Sequence, residues 1–128
     1  MSLQSPLGRV LGMGSAKDGT GHWWAQRVSA VALIPLTLWF FVSLLELPDL
    51  DYGTVRAWLR LPWSALLAVL LVAVLTYHSY LGTTVVIEDY VHSGGRKLFS
   101  LLLLKFLYVV LGGAAILAIL RVAILRGL

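Results

Sequence analysis

Residues 77–92 read YHSYLGTTVVIEDYVH, and this stretch decides how the whole chain folds. It closes the longest apolar run of the sequence, 61–87, whose 27 residues include no Asp, Glu, Lys or Arg. A helix of that length, rising about 1.5 Å per residue, crosses the roughly 30 Å of hydrocarbon in a bilayer. His78 therefore lies within the membrane, where an ionisable side chain is costly unless it is paired, protonated or coordinated. We expect it to mark a functional site.

Composition places the whole chain in the membrane-protein class. Of its 128 residues 59% are hydrophobic and only 12% are charged, and the mean hydropathy is +0.89. Such a chain lacks the polar surface that a soluble globule needs. The net charge of +4 is dispersed rather than gathered on a basic face, which argues against nucleic-acid binding and favours the lipid bilayer as a partner. Without cysteine, the chain itself holds no disulfide and no iron–sulfur or thiolate–zinc site.

Two further apolar segments accompany this run. We predict an all-α membrane protein with three transmembrane helices, at about residues 24–46, 62–88 and 98–124. They form one membrane anchor domain, 22–128, which follows an exposed tail, 1–21. A short interfacial helix is expected over 52–60, because its Trp and two Arg side chains suit the headgroup layer.

The third predicted helix has two unusual features. Lys105 leaves only 15 uncharged residues before Arg121, so we expect its long side chain to extend to the headgroups; a buried functional lysine is the alternative. The run Gly112-Gly113-Ala114-Ala115 offers a surface of small side chains on which another helix can pack closely.

The distribution of basic residues predicts the orientation. The side that holds the N-terminus and the second connection carries six Lys and Arg, namely Arg9, Lys17, Arg27, Arg96, Lys97 and Lys105. The other side carries four, namely Arg56, Arg60, Arg121 and Arg126. Positive charge concentrates on the cytoplasmic side, so the N-terminus is predicted to be cytoplasmic.

The three histidines limit what a metal or haem site could be. His92 follows His78 by 14 residues, or about 21 Å along a helix, and His22 stands at the mouth of the first helix. No second histidine of this chain reaches the depth of His78, so a haem with two axial histidines would need one from another subunit. The residues alone leave a second interpretation equally open, in which an interhelical hydrogen bond satisfies the His78 ring.

Residues on the same face as His78 suggest what could lie beside it. Gly82, four residues on, would let a flat macrocycle approach, or would serve plain helix packing. Asp89, three turns from His78, and the adjoining Tyr90 lie at the membrane boundary, where a phenol can donate a hydrogen bond to a quinone carbonyl. The alternative is an interfacial tyrosine beside a solvated acid. Arg27 could pair with a haem propionate or with Asp89, or could be an ordinary cytoplasmic anchor.

These motifs resemble those of one family. With YHSYLG at 77–82, EDYV at 88–91 and HWWAQRVSA at 22–30, the chain resembles the smaller of the two hydrophobic membrane anchor subunits of succinate dehydrogenase, respiratory complex II. The resemblance covers all but the first 20 or so residues. It implies half of a heterodimeric anchor bundle, a non-catalytic part of a quinone-reducing enzyme.

The resemblance also implies cofactors, partners and residue roles. His78 matches the axial ligand of a haem b shared with a second membrane anchor subunit. Tyr90 matches the hydrogen-bond donor to the substrate ubiquinone, with Asp89 as its neighbour. Arg27 and His22 match positions near the haem propionates. The expected partners are that second anchor, an iron–sulfur subunit, a flavoprotein subunit and the lipid bilayer, with no nucleic acid.

Two other functions stay open beside this one. The chain could be the anchor of a fumarate reductase, which runs the same chemistry in reverse, or a small membrane transport or assembly subunit in which His78 relays protons. The expected location is the bacterial inner (cytoplasmic) membrane, with the mitochondrial inner membrane as the alternative.

Overall fold

A computed structural model describes residues 19–124, and it is helical throughout, with no strand among them. The four helices are α1 (Gly19–Glu46), α2 (Tyr52–Leu59), α3 (Pro62–Tyr90) and α4 (Gly94–Ile124). Residues 1–18 of the predicted tail and residues 125–128 lie outside the described part. Helices α1, α3 and α4 are long and apolar enough to cross a membrane, which confirms the prediction of an all-α chain with three spans.

Two of the three long helices begin earlier than the hydropathy pattern predicts, while α3 begins at Pro62 as predicted. Helix α1 starts at Gly19, within the predicted tail, and α4 starts at Gly94 rather than near 98. At the second boundary Ser93 is the residue just before the helix and caps it. Its carbonyl accepts from Lys97 N at 2.9 Å, and its hydroxyl accepts from Arg96 Nε at 3.0 Å. Hydropathy marks only where lipid contact begins, whereas helical hydrogen bonding continues into the polar boundary.

The short helix α2 lies against α3 and α4, and its Trp58 side chain reaches α1. Asp51 caps it by accepting a 2.7 Å hydrogen bond from Thr54 N, and this bond holds the pKa of the Asp51 carboxyl below its usual value. The indole of Trp58 stacks on that of Trp39 with ring centroids 5.7 Å apart, and Phe40 lies beside it at 6.2 Å. The predicted interfacial helix is thus present, and aromatic contacts hold it against the first span.

Helix α3 is the centre of the fold. It packs against both α1 and α4, whose backbones do not approach each other within the described residues. Consecutive spans run antiparallel, so α1 begins, α3 ends and α4 begins at one end of the bundle, here called the Tyr90 end. The α3–α4 contact is close at Gly112, where an added Cβ would come within 2.8 Å of Thr76 Cγ2. Glycine at this position allows the two helices to meet.

Few side chains are buried by this arrangement. The buried apolar residues are Ala68, Leu71, Leu81 and Leu104, while large apolar side chains along all three spans remain exposed. In water such a surface would drive association, whereas in a bilayer it faces lipid or other transmembrane helices. One central span with two others packed on it therefore leaves most of the helix surface for lipid and partner chains.

Candidate functional site

The candidate site lies between α1 and α3, on two helix faces with matching spacing. On each helix the residues involved stand at positions i, i+4 and i+7, which share one side of an α-helix. They are His22, Gln26 and Ser29 on α1 and His78, Gly82 and Val85 on α3. Because the helices are antiparallel, Ser29 lies level with His78 deep in the span, and His22 lies nearer the Tyr90 end.

Hydrogen bonds hold both nitrogens of the His78 ring. Nδ1 lies 2.9 Å from Ser29 Oγ, and Nε2 lies 3.3 Å from Gln26 Nε2. Ser29 Oγ also donates to the Gln26 carbonyl oxygen at 3.1 Å. Since a hydroxyl has one proton, this arrangement has Nδ1–H donating to Ser29 Oγ and Nε2 accepting from the Gln26 amide. We infer that His78 carries its proton on Nδ1 and its lone pair on Nε2.

This geometry bears on the two interpretations that the sequence left open for His78. The structure contains the interhelical hydrogen bond: Ser29, buried on α1, bonds the His78 ring on α3. The bond is also compatible with metal binding, since ligating histidines usually donate their second ring N–H to a fixed acceptor. Haem ligation by His78 stays a prediction.

An open cavity of about 470 Å³ lies between α1 and α3 and reaches Gln26, the side chain bonded to His78 Nε2, without touching the His78 ring itself. It is lined by His22, Trp23, Gln26, Gly82 and Val85. Two buried polar atoms at this site, His22 Nε2 and Gln26 Oε1, have no hydrogen-bond partner within the part of the chain that the structure describes. Buried polar atoms normally find partners, so these two mark the site as incomplete within the described residues.

Gly82 shapes the cavity wall nearest His78. A Cβ at this position would lie 3.6 Å from Gln26 Nε2, in ordinary contact, and would take up part of the space. Its missing side chain therefore keeps the cavity open beside Gln26, the side chain that bonds His78.

Arg27 lies at the Tyr90 end but does not join the hydrogen-bond network of the site. Its side chain is exposed, and the guanidinium sits over the Trp23 ring with Cζ 5.4 Å from the centroid. Among residues 19–124 it forms no ion pair with Asp89. The guanidinium is held by a cation–π contact beside the cavity wall, and its charge is accessible from outside the chain.

Asp89 and Tyr90 form a separate group. They are the last two residues of α3 and both are exposed, Tyr90 at 79%. Tyr90 is 12 residues, or about 18 Å, from His78 along the helix. The predicted site residues thus fall into the half-buried His78 and His22, the exposed Arg27 beside them, and an exposed pair where α3 ends.

Two contacts fix the backbone around that exposed pair. Lys97 Nζ donates to the Glu88 carbonyl oxygen at 2.9 Å, and His92 Nδ1 donates to the Tyr90 carbonyl oxygen at 3.2 Å. These donors satisfy carbonyl groups that the end of a helix leaves free. They hold the Tyr90 end of α3 against the start of α4, while the Tyr90 ring projects outward.

The sequence interpretation missed Gln26 and Ser29. Their signal was present, because with His22 they form a polar stripe at helical spacing in an otherwise apolar span. The sequence did not reveal that this stripe meets His78, which depends on the rotation of α1 against α3. No group of three or more His, Asp or Glu side chains within 19–124 is arranged to bind a metal ion alone.

The chain is similar to membrane subunits of respiratory enzymes. The family described as succinate dehydrogenase/fumarate reductase transmembrane subunit matches residues 1–112, which include every predicted site residue. The succinate dehydrogenase hydrophobic membrane anchor subunit of Paracoccus denitrificans is 38% identical over 97 residues, covering 76% of this chain and 75% of that protein. Its counterpart in Rickettsia bellii is 38% identical over 99 residues, covering 70% and 78% respectively. No solved structure matches.

Proposed function

We propose, on the premise that this chain belongs to the succinate dehydrogenase/fumarate reductase transmembrane subunit family, that it is the smaller anchor of a succinate:quinone oxidoreductase and supplies one axial ligand to a haem b. The observation that carries this is the His78 ring. It lies in mid-span with Nδ1 held by Ser29 and Nε2 bonded to Gln26, a side chain that lines an open cavity. The haem would be shared with a second anchor subunit, since this chain offers one histidine at that depth.

The residues around the cavity fit a haem. Gly82, four residues from His78 on the same helix face, leaves room for a flat ring, and the rest of the wall combines Trp23 and Val85 with the polar His22 and Gln26. Two buried polar atoms, His22 Nε2 and Gln26 Oε1, await partners there. The cavity is open on one side, so another chain would supply the opposite wall and the second ligand. Bound there, a haem b supplies reversible one-electron chemistry.

The chain's own residues would orient and stabilise that group. Ser29 accepts the Nδ1–H of His78 and so keeps the Nε2 lone pair directed away from α1. In this structure the Gln26 amide donates to His78 Nε2. The amide would have to turn away for Nε2 to bind the haem iron. His22 and the accessible guanidinium of Arg27 stand toward the Tyr90 end, where they would bind the propionates by charge-assisted hydrogen bonds.

Tyr90 and Asp89 would form this chain's part of a ubiquinone site. The Tyr90 phenol makes no hydrogen bond to any other residue in 19–124, so its O–H is available to a quinone carbonyl. Asp89 can orient the phenol or carry a proton toward it. At the membrane boundary a quinone can present its ring to them while its tail remains in lipid.

The other redox centres would lie in partner subunits. The chain has no cysteine, and in the proposed assembly the flavin and the iron–sulfur clusters belong to a flavoprotein and an iron–sulfur subunit docked at the Tyr90 end. The bacterial inner membrane fits the relatives from Paracoccus and Rickettsia, with the Tyr90 end cytoplasmic by the count of basic residues. The chain would then complete the quinone site without oxidising succinate itself.

A reduced-minus-oxidised spectrum of the purified assembly tests the proposal. We expect a b-type haem in stoichiometric amount, together with succinate oxidation coupled to ubiquinone reduction. A haem potential and native quinone suited to fumarate reduction would instead assign the chain to the reverse enzyme. An assembly without haem would contradict the proposal and favour a proton-relay role for His78.

A further inference from the structure

A second cavity lies on the opposite side of α3 from His78. It runs between α3 and α4, has a volume of about 410 Å³, and is here called the α3–α4 groove. Tyr77 and Tyr80 line it from α3, and Lys105, Tyr108, Gly113 and Ile116 line it from α4. At 100° per residue, Tyr77 and Tyr80 point away from the helix face that holds His78 and Gly82. The groove is therefore separate from the proposed haem and quinone sites.

Lys105 is the only charged residue lining this groove, and its charge is uncompensated. It is exposed and has no ion pair or hydrogen bond to any residue of the described range 19–124. It lies 8 residues, or about 12 Å, further along α4 than Lys97, whose ammonium binds the Glu88 carbonyl at the Tyr90 end. An unpaired ammonium at the edge of an apolar groove attracts an anionic group from outside the chain.

The direction and length of the groove define that partner. Side chains on a helix lean toward its N-terminus, so the Lys105 ammonium extends toward the Tyr90 end and its headgroup layer. From Lys105 the groove continues to Ile116, 11 residues or about 16 Å deeper along α4. One leaflet of hydrocarbon is about 15 Å thick, half of the roughly 30 Å core. The groove has a cation at its shallow end and an apolar trough one leaflet long.

We propose that the α3–α4 groove binds one anionic phospholipid of the leaflet at the Tyr90 end. Its phosphate pairs with the Lys105 ammonium, and one acyl chain lies in the trough toward Ile116. A transmembrane helix is a poorer occupant, because with its side chains it is roughly 10 Å across and would not pair Lys105 unless it carried an acid at that level.

Gly113 provides a way to block the trough without disturbing the fold. A Cβ on Gly113 would meet nothing within 4 Å, whereas one on the adjacent Gly112 would clash with Thr76. Gly113→Leu therefore fills the groove while the α3–α4 contact remains. Lys105→Gln removes the charge at similar length, and Lys105→Arg retains it. Arg121→Gln, on the same helix but outside the groove, is the matched control for a lost positive charge.

The experiment measures lipid bound to the whole membrane complex that contains this chain. The complex is purified in mild detergent, exchanged into mixed phosphatidylglycerol and phosphatidylcholine, and analysed by native mass spectrometry. We expect one phosphatidylglycerol retained per copy in the wild type, Lys105→Arg and Arg121→Gln. Occupancy should fall at least about tenfold in both Lys105→Gln and Gly113→Leu.

Three results would overturn the proposal. One is retention of phosphatidylglycerol by both Lys105→Gln and Gly113→Leu, and another is equal retention of phosphatidylcholine by the wild type. The third is a carbodiimide cross-link that joins the Lys105 amine to a carboxylate of another subunit, which would identify a protein ion pair. If Lys105→Gln fails to assemble, Gly113→Leu still decides, because it keeps the lysine and removes only the space.

Discussion

Ser29→Ala is the substitution that tests most specifically how α1 orients His78. The Ser29 side chain is buried, with the residue 6% exposed, and its hydroxyl accepts the Nδ1–H of His78 at 2.9 Å. Alanine removes the oxygen and leaves the backbone and the helix unchanged. The Nδ1–H is then left in an apolar environment without an acceptor, and the ring is free to turn or to change tautomer.

The size of the effect follows from that lost acceptor. Leaving a buried donor unsatisfied costs about 1–3 kcal/mol. At 1.4 kcal/mol per factor of ten, this corresponds to roughly a 5- to 150-fold loss in the affinity of His78 for haem iron. The range overlaps the roughly 10- to 100-fold loss typical when a ligating histidine loses its hydrogen-bond partner.

The assay is the rate and extent of haem release from the purified complex, with the reduced spectrum as a readout of ligation. Ser29→Thr keeps a hydroxyl and should retain haem nearly as well as the wild type. Ser64→Ala removes another buried serine, 14 residues or about 21 Å from His78 along α3, and should have no effect on haem. If Ser29→Ala holds haem as tightly as Ser64→Ala, with an unchanged spectrum, the Ser29 bond does not support the ligand.

Three further outcomes are expected. Gly112→Ala should destabilise the complex by about 1–3 kcal/mol in thermal unfolding, because its Cβ meets Thr76 at 2.8 Å, while Gly113→Ala should be neutral; equal effects would refute this packing. Tyr90→Phe should weaken quinone reduction by roughly 0.5–1.5 kcal/mol and spare succinate oxidation with an artificial acceptor; wild-type quinone turnover would make Tyr90 a plain interfacial anchor. The chain expressed alone should not form low-spin haem, and a bis-histidine spectrum from it would show that the second ligand is internal.

The three spans could be predicted from the sequence because lipid imposes a strong requirement. About 20 apolar residues with all backbone groups bonded internally must be a helix, so hydropathy alone located α1, α3 and α4. Their ends were less well predicted, since Gly19 and Gly94 begin helices in polar surroundings where hydropathy carries no signal.

The partners of each predicted site residue could not be read from the sequence. Periodicity showed that His78 and Gly82 share a face, but the rotation of α1 that brings Ser29 to His78 depends on packing between helices. For the same reason, the run of small residues does not show which glycine contacts the neighbouring helix. In the structure Gly112 meets α3, whereas Gly113 opens on the α3–α4 groove. The sequence of a helix determines which side chains share a face, and packing between helices determines which neighbouring helix that face contacts.

The most direct test of His78 as the haem ligand is the haem content of a His78→Ala complex. It is measured by pyridine haemochrome in a complex that retains all its subunits. His92→Ala is the control, because His92 lies beyond the end of α3, about 21 Å along the helix direction from His78. We expect His78→Ala to lose most or all b-type haem and His92→Ala to retain it, since alanine cannot replace an axial ligand. A His78→Ala complex with full haem and an unchanged spectrum would contradict the assignment of His78 as the ligand.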